Sequence, residues 1–245
     1  MTHPYLQPMS AGEIVRNALS VYRDHFRLLV LVALFPHLAL LLFEALVLGA
    51  GEPGTGAMTA VMVATVIVNG VALTAITIAI GRAVLGPEPS LLEVYGQTWH
   101  AGLLAVVVAY LITAVLVSAG LVAFILPGIV IGALFAPSIP LIVVEHLGPV
   151  DGLSRSVALM KAEWGKGAVV FSFFILVAGI LPLLLLVVET SVAMGPLTPL
   201  LGAILGAVTL PMGFAANVLL YFSLRSADPA AAQRLEAELK APLAE

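Results

Sequence analysis

The sequence predicts an all-α, polytopic bundle of about six transmembrane helices. Three observations lead there: hydrophobic residues make up 61% of the chain and charged residues 10%, mean hydropathy is +1.14, and several apolar runs are long enough to cross a bilayer. A soluble domain carries about 25% charged residues. A bilayer core about 30 Å thick takes roughly 20 apolar residues per crossing helix. The membrane is the solvent in which this chain has to be understood.

The segment from Met1 to Arg27 is too long for a cleavable signal, mixes Glu13 and Asp24 with its arginines, and is expected to stay in the mature protein. Within it, Ser10-Ala11-Gly12-Glu13 fits a capping box, in which the Ser oxygen and the Glu carboxylate satisfy the free amides of a helix start. From there Ile14, Val15, Ala18, Leu19, Tyr22 and Phe26 share one helical face, opposite Glu13, Arg16, Asn17, Arg23 and Asp24. An interfacial helix over about 10–26 follows, leading into a first span at about Leu28 to Ala50 and a second at Met58 to Leu85.

A second capping box, Ser90-Leu91-Leu92-Glu93, opens an interfacial helix over about 90–100 with Leu91, Leu92, Tyr95 and Trp99 as its stripe. Spans at Gly102 to Leu126 and Gly128 to Leu147 come next. They are divided at Pro127-Gly128, a turn-forming pair inside an apolar block too long for one crossing. The third interfacial helix, about 149–164, starts at the looser Gly148-Pro149-Val150-Asp151 and carries Val150, Leu153, Val157, Met160 and Trp164 at steps of three and four. Spans at Gly167 to Val188 and Leu197 to Leu224 complete one transmembrane domain, residues 1–225. Residues 226–245 are a short charged tail with room for a helix from Ala230 to Leu239. The whole reads as three parallel repeats of interfacial helix, span, short outer turn and span.

All ten Lys and Arg residues fall in the N-terminal segment, the second-to-third connection, the fourth-to-fifth connection or the C-terminal tail. The connections Gly51 to Ala57, the Pro127 turn and Glu189 to Pro196 hold none, so the positive-inside rule places both termini in the cytoplasm. The net charge of −4, with no basic stripe, argues against a nucleic-acid partner. The absence of cysteine removes disulfides, thiolate nucleophiles and cysteine-held metals.

Ionisable and polar groups within spans are costly and are candidates for function by default. Glu44 in the first span reads either as a proton or cation site or as a carboxyl near the outer surface. His37 and Asn69 fall at matching depths in the first hairpin and are expected to meet, as a polar point on a substrate path or as interhelical glue. Asn217 and Arg225 lie near the inner end of the last span, and Glu145 is placed to pair with Arg155 or Arg82. Pro36, Pro137, Pro140, Pro182 and Pro211 each remove a backbone donor from a span. Gly128 with Gly132, and Gly202 with Gly206, have the spacing that lets helix backbones approach, in the same chain or in another. No enzyme motif is found: there is no zinc-protease pair, no serine nucleophile elbow, and Trp164-Gly165-Lys166-Gly167 lacks the remaining features of a phosphate loop. Histidines at 3, 25, 37, 100 and 146 are too scattered to suggest a metal site, and no cofactor is expected.

Ser10 through Ala18 with Tyr22-Arg23, together with Leu126-Pro127-Gly128-Ile129 through Pro140, Glu145 and Gly148-Pro149 to Ser154-Arg155-Ser156, resemble the membrane domain found in bacterial glycerophosphoryl diester phosphodiesterases and in related six-span bacterial proteins. The resemblance covers the chain up to about Arg225 and implies a multi-pass protein of the bacterial cytoplasmic (inner) membrane. It implies no hydrolase activity, because that chemistry resides in a separate soluble barrel for which these residues supply no motif. The expected function is a non-enzymatic accessory or scaffold that binds membrane lipids or a protein partner, including a second copy. The alternative is a transporter of small amphipathic or lipid-like substrates.

Overall fold

The computed structural model describes residues 4–49, 54–180, 183, 184, 187 and 197–240. The outer connections expected over 51–57 and 189–196, the far end of the fifth run with Pro182, and the last five residues fall wholly or partly outside the described residues.

Every regular element among the described residues is helical. In order these are α1 (Ala11–Asp24), α2 (Phe26–Leu48), α3 (Thr55–Leu85), α4 (Leu91–His100), α5 (Leu103–Ala123), α6 (Ile125–Phe135), α7 (Ser138–Glu145), α8 (Pro149–Met160), α9 (Trp164–Phe174) with a π-helical extension Ile175–Ile180, α10 (Leu197–Arg225) and α11 (Pro229–Lys240). Five stretches are long and apolar enough to cross a membrane: α2, α3, α5, the α6–α7 pair and most of α10. A sixth passes only as α8 joined to α9 and its extension across a 117° bend. Helices are the form such sequences take in lipid, because each backbone polar group finds its partner within the segment.

The three short surface helices begin as their sequences suggest. Glu13 accepts from the Ser10 amide at 2.8 Å while Ser10 Oγ accepts from the Glu13 amide at 3.4 Å. Ser90 and Glu93 repeat the arrangement at 2.6 and 3.3 Å. At α8 the cap is Gly148 with Pro149 in the first turn and no side-chain bond.

The long helices pack in sequence: α2 on α3, α3 on α5, α5 on α6, α6 on α9, and α9 with its extension on α10, which returns to α2. Within this ring α3, α7 and α10 touch one another. Their burial is concentrated at one end, at Ala72 to Gly81, Ser138 to Val144 and Phe214 to Ser223. The most apolar window of α3, α6–α7 and α10 is 56, 61 and 67% buried, against 22% for α2 and α5. The apolar windows of α3, α6–α7 and α10 therefore lie deeper in the bundle than those of α2 and α5. The ends that carry arginine meet at this packed end, where Glu145 holds Arg155 and Arg225 and His25 faces Glu88 at 3.8 Å.

Three expectations need correction. The break between the third and fourth runs lies at Phe124 (φ −162°, ψ 145°), not at Pro127-Gly128. Pro127 sits in the first turn of α6, where its missing amide costs nothing. Gly128 is inside that helix, where it lets α6 close on α5: a Cβ on Gly120 would lie 2.8 Å from the Gly128 Cα. The stripes of α4 and α8 coincide only in part with the buried faces: Leu91, Tyr95, Leu153 and Met160 pack inward and the rest do not. Val94 and Thr98 in α4, and Gly152, Leu153, Ser156 and Met160 in α8, turn inward. Leu92, Trp99, Val150 and Trp164 turn out, and Trp164 belongs to α9. Hydropathy does not separate these faces, because lipid and protein interior are equally apolar. Finally, α11 is not a free tail: Ala231 and Leu235 are buried and the helix packs on α3.

Candidate functional site

The densest cluster of charge lies at the packed end and is built by three elements. Helix α7 is closed by His146 in the left-handed conformation (φ 50°), and the Leu147 amide donates to Ile142 O at 3.2 Å. A bulky residue pays strain there, although His is one of the more tolerant types. The tight reversal brings α8 back along α7, so that Arg155 Nε reaches Glu145 Oε2 at 3.1 Å. From the other side α10 presents Asn217, Tyr221 and Arg225 at steps of four, hence on one face. Arg225 Nε meets Glu145 Oε1 at 2.9 Å, and the Tyr221 hydroxyl donates to the same oxygen at 3.3 Å. Asn217 is buried one turn deeper. The Glu145 and Arg225 side chains are 17 and 18% exposed and Arg155 is 46% exposed, so one pair is sheltered and the other wet. Two guanidinium groups thus share one carboxylate. Arg82 lies elsewhere, with Nε donating to Gln97 Oε1 of α4 at 2.9 Å.

The polar residues of the first hairpin do not meet. His37 uses Nδ1 to donate to Ala33 O at 2.7 Å, and Asn69 Nδ2 donates to Thr65 O at 2.9 Å, so each bonds its own helix. A carbonyl only accepts, which fixes a proton on Nδ1 of His37. The ring lies against α10, within 3.5 Å of where a Cβ on Gly206 would stand. Glu44, two turns further along the His37 face, is half-buried. Thr65, Thr74, Thr77 and Thr209 likewise bond the carbonyl four residues back in their own helices.

The two glycine pairs divide. Gly128 packs on Leu121 of α5, and Gly132 on the Phe171 ring of α9, both within this chain. Gly206 packs on His37, whereas Gly202 has nothing among the described residues within 4 Å of its Cβ position. Among the described residues no three His, Asp or Glu side chains gather as a metal site would require.

The surface helices carry the remaining chemistry. The Glu13 carboxyl is held below its usual range by the Ser10 side chain and then the Ser10 amide. Glu93 is lowered in the same way, by the Ser90 amide first and its side chain second. Burial pushes the Tyr22 and Tyr95 phenols up, so both remain hydroxyl donors. Sequence reading missed the donor roles of Tyr22, Tyr95 and Tyr221, whose only signal was a hydroxyl on an otherwise apolar helical face, and the close approach at Gly120, which carried no motif of its own. Family models, curated proteins and solved structures offer no match to this chain.

Proposed function

We propose that this chain is a non-enzymatic, membrane-embedded accessory or scaffold protein of the bacterial cytoplasmic membrane. In this reading it has six spans in three repeats of surface helix plus hairpin, with both termini in the cytoplasm. It binds lipid, or a protein partner, through its surface helices. The observation that carries the reading is that these helices are apolar on two sides. In α4 and α8 one side is sunk into the bundle, while Leu92, Trp99 and Val150 stand between 65 and 87% exposed on the other, and Trp164 at the start of α9 is 53% exposed. Trp at that position is the usual anchor at a membrane interface. The central placement of α3, α7 and α10 supports the threefold repeat, and the segregation of all ten basic residues supports the orientation. Span side chains that bond their own helices support packing over a substrate path. The likeness to the phosphodiesterase membrane domain agrees with a bacterial multi-pass protein and lends no activity.

The test uses the purified chain in vesicles containing brominated lipids, with native mass spectrometry and cross-linking alongside. Quenching of Trp99 and Trp164, each read in a variant lacking the other, together with retained lipid or a cross-linked partner, is expected. Unquenched tryptophans in a strictly monomeric protein free of lipid and partner would sink the proposal.

A further inference from the structure

Three side-chain hydroxyls, one from each surface helix, donate to backbone carbonyls at the proline interruptions of the spans. The Tyr95 hydroxyl of α4 bonds Val32 O in α2. That carbonyl is the one Pro36 leaves without its helical partner, since proline has no amide to give four residues on. Ser156 Oγ of α8, fully buried, bonds Leu134 O at 2.7 Å, three residues before Pro137, where α6 gives way to α7. The Tyr22 hydroxyl of α1 bonds Val208 O at 2.9 Å, three residues before Pro211 in α10. A proline ring pushes its own turn of helix open, and in a membrane the loosened carbonyls have to find donors in neighbouring helices.

The donors are distributed in a cycle. Helix α4, which leads into α5 and α6, latches the hairpin before it. Helix α8, which leads into α9 and α10, latches the pair before it, and α1 closes the circle on α10. Packing follows the same order, with α4 on α2 and α3, α8 on α5 to α7, and α1 on α9 and α10.

We propose that the surface helices are latches: each holds a span at its proline turn, so that lifting one helix from the bundle loosens that span, which for α1 and α4 is not a span the helix directly adjoins. The cycle makes surface and spans one mechanical unit. This holds whether the outer faces meet lipid or protein.

The experiment is a double-mutant cycle on the full chain in micelles, with Tyr95→Phe, Pro36→Ala and the pair, read by unfolding equilibrium and by amide exchange over residues 33–40. Tyr95→Phe is expected to raise the unfolding constant roughly three- to tenfold, the range of an interhelical hydrogen bond in a membrane protein, and to speed exchange beyond Pro36. With Pro36→Ala the restored amide takes Val32 O, and the same Tyr95→Phe change should then have less than about a twofold effect. An equal effect in both backgrounds means that Tyr95 acts by packing alone, and no effect in either means that there is no latch; each overturns the proposal. Should Pro36→Ala not fold, Ser156→Ala decides: faster exchange over 134–141 supports the latch, and a change confined to α8 overturns it.

Discussion

Replacing Glu145 by Gln keeps the volume of the side chain and removes the charge that two arginines share. The Arg225 contact is at 2.9 Å between side chains 18 and 17% exposed, so it belongs with sheltered, charge-assisted hydrogen bonds, worth about 1.5–3 kcal/mol. The Arg155 contact is nearly as short, but its guanidinium is 46% exposed, and water reduces such a pair to about 0–1 kcal/mol. The expected total loss is about 1.5–4 kcal/mol. The measurement is reversible unfolding in mixed micelles, with Arg225→Met and Arg155→Met each combined with Glu145→Gln. Coupling energy should be larger for Arg225 than for Arg155 by at least about 1 kcal/mol. Equal couplings, or a loss below about 0.5 kcal/mol for Glu145→Gln, would show that exposure does not rank these contacts.

Gly128→Leu forces a side chain into Leu121 and should destabilise the bundle by about 1–3 kcal/mol. Gly202→Leu meets no described residue within 4 Å and should leave the unfolding of the single chain unchanged, and thermal melts of the two variants side by side check this. The capping carboxylates of Glu13 and Glu93 are depressed in the folded state, so their stabilisation is complete above the ordinary carboxylate value of 4.5 and is lost as pH falls through the lower folded value. The double variant Glu13→Gln, Glu93→Gln should flatten the acid limb of a stability–pH profile; an unchanged limb assigns it to other groups. Glu44→Gln is expected to alter neither stability nor lipid retention, whereas loss of a proton-coupled flux in proteoliposomes would favour transport over the scaffold reading.

Much of the architecture was legible because it rests on local chemistry. The capping boxes at Ser10 and Ser90 are written within four residues, and the helix starts follow from them. The position of the α5–α6 break was not legible, because Pro127 is equally at home in a turn and in the first turn of a helix. Which apolar residues of α4 and α8 turn inward was not legible, because Val94 and Leu92 differ only in what surrounds them. The depth argument that paired His37 with Asn69 was sound as far as it went. Equal depth does not fix rotation about the helix axis, and both side chains found carbonyls in their own helix first.

By itself, then, the sequence determined that the chain lives in a bilayer, that it is helical, where its surface helices begin and which of its connections carry positive charge. Apolar run length, capping and charge placement are properties of short stretches, and solvent acts on them directly. Only the tertiary structure decided that α3, α7 and α10 form the centre, that Arg225 reaches Glu145, and that Tyr22, Tyr95 and Ser156 reach carbonyls beside prolines in other helices. These are contacts across 22 to 186 residues of chain. In a solvent as apolar as the protein interior, hydropathy carries no information about which face meets which, and packing and the demand of every loosened carbonyl for a donor make that choice.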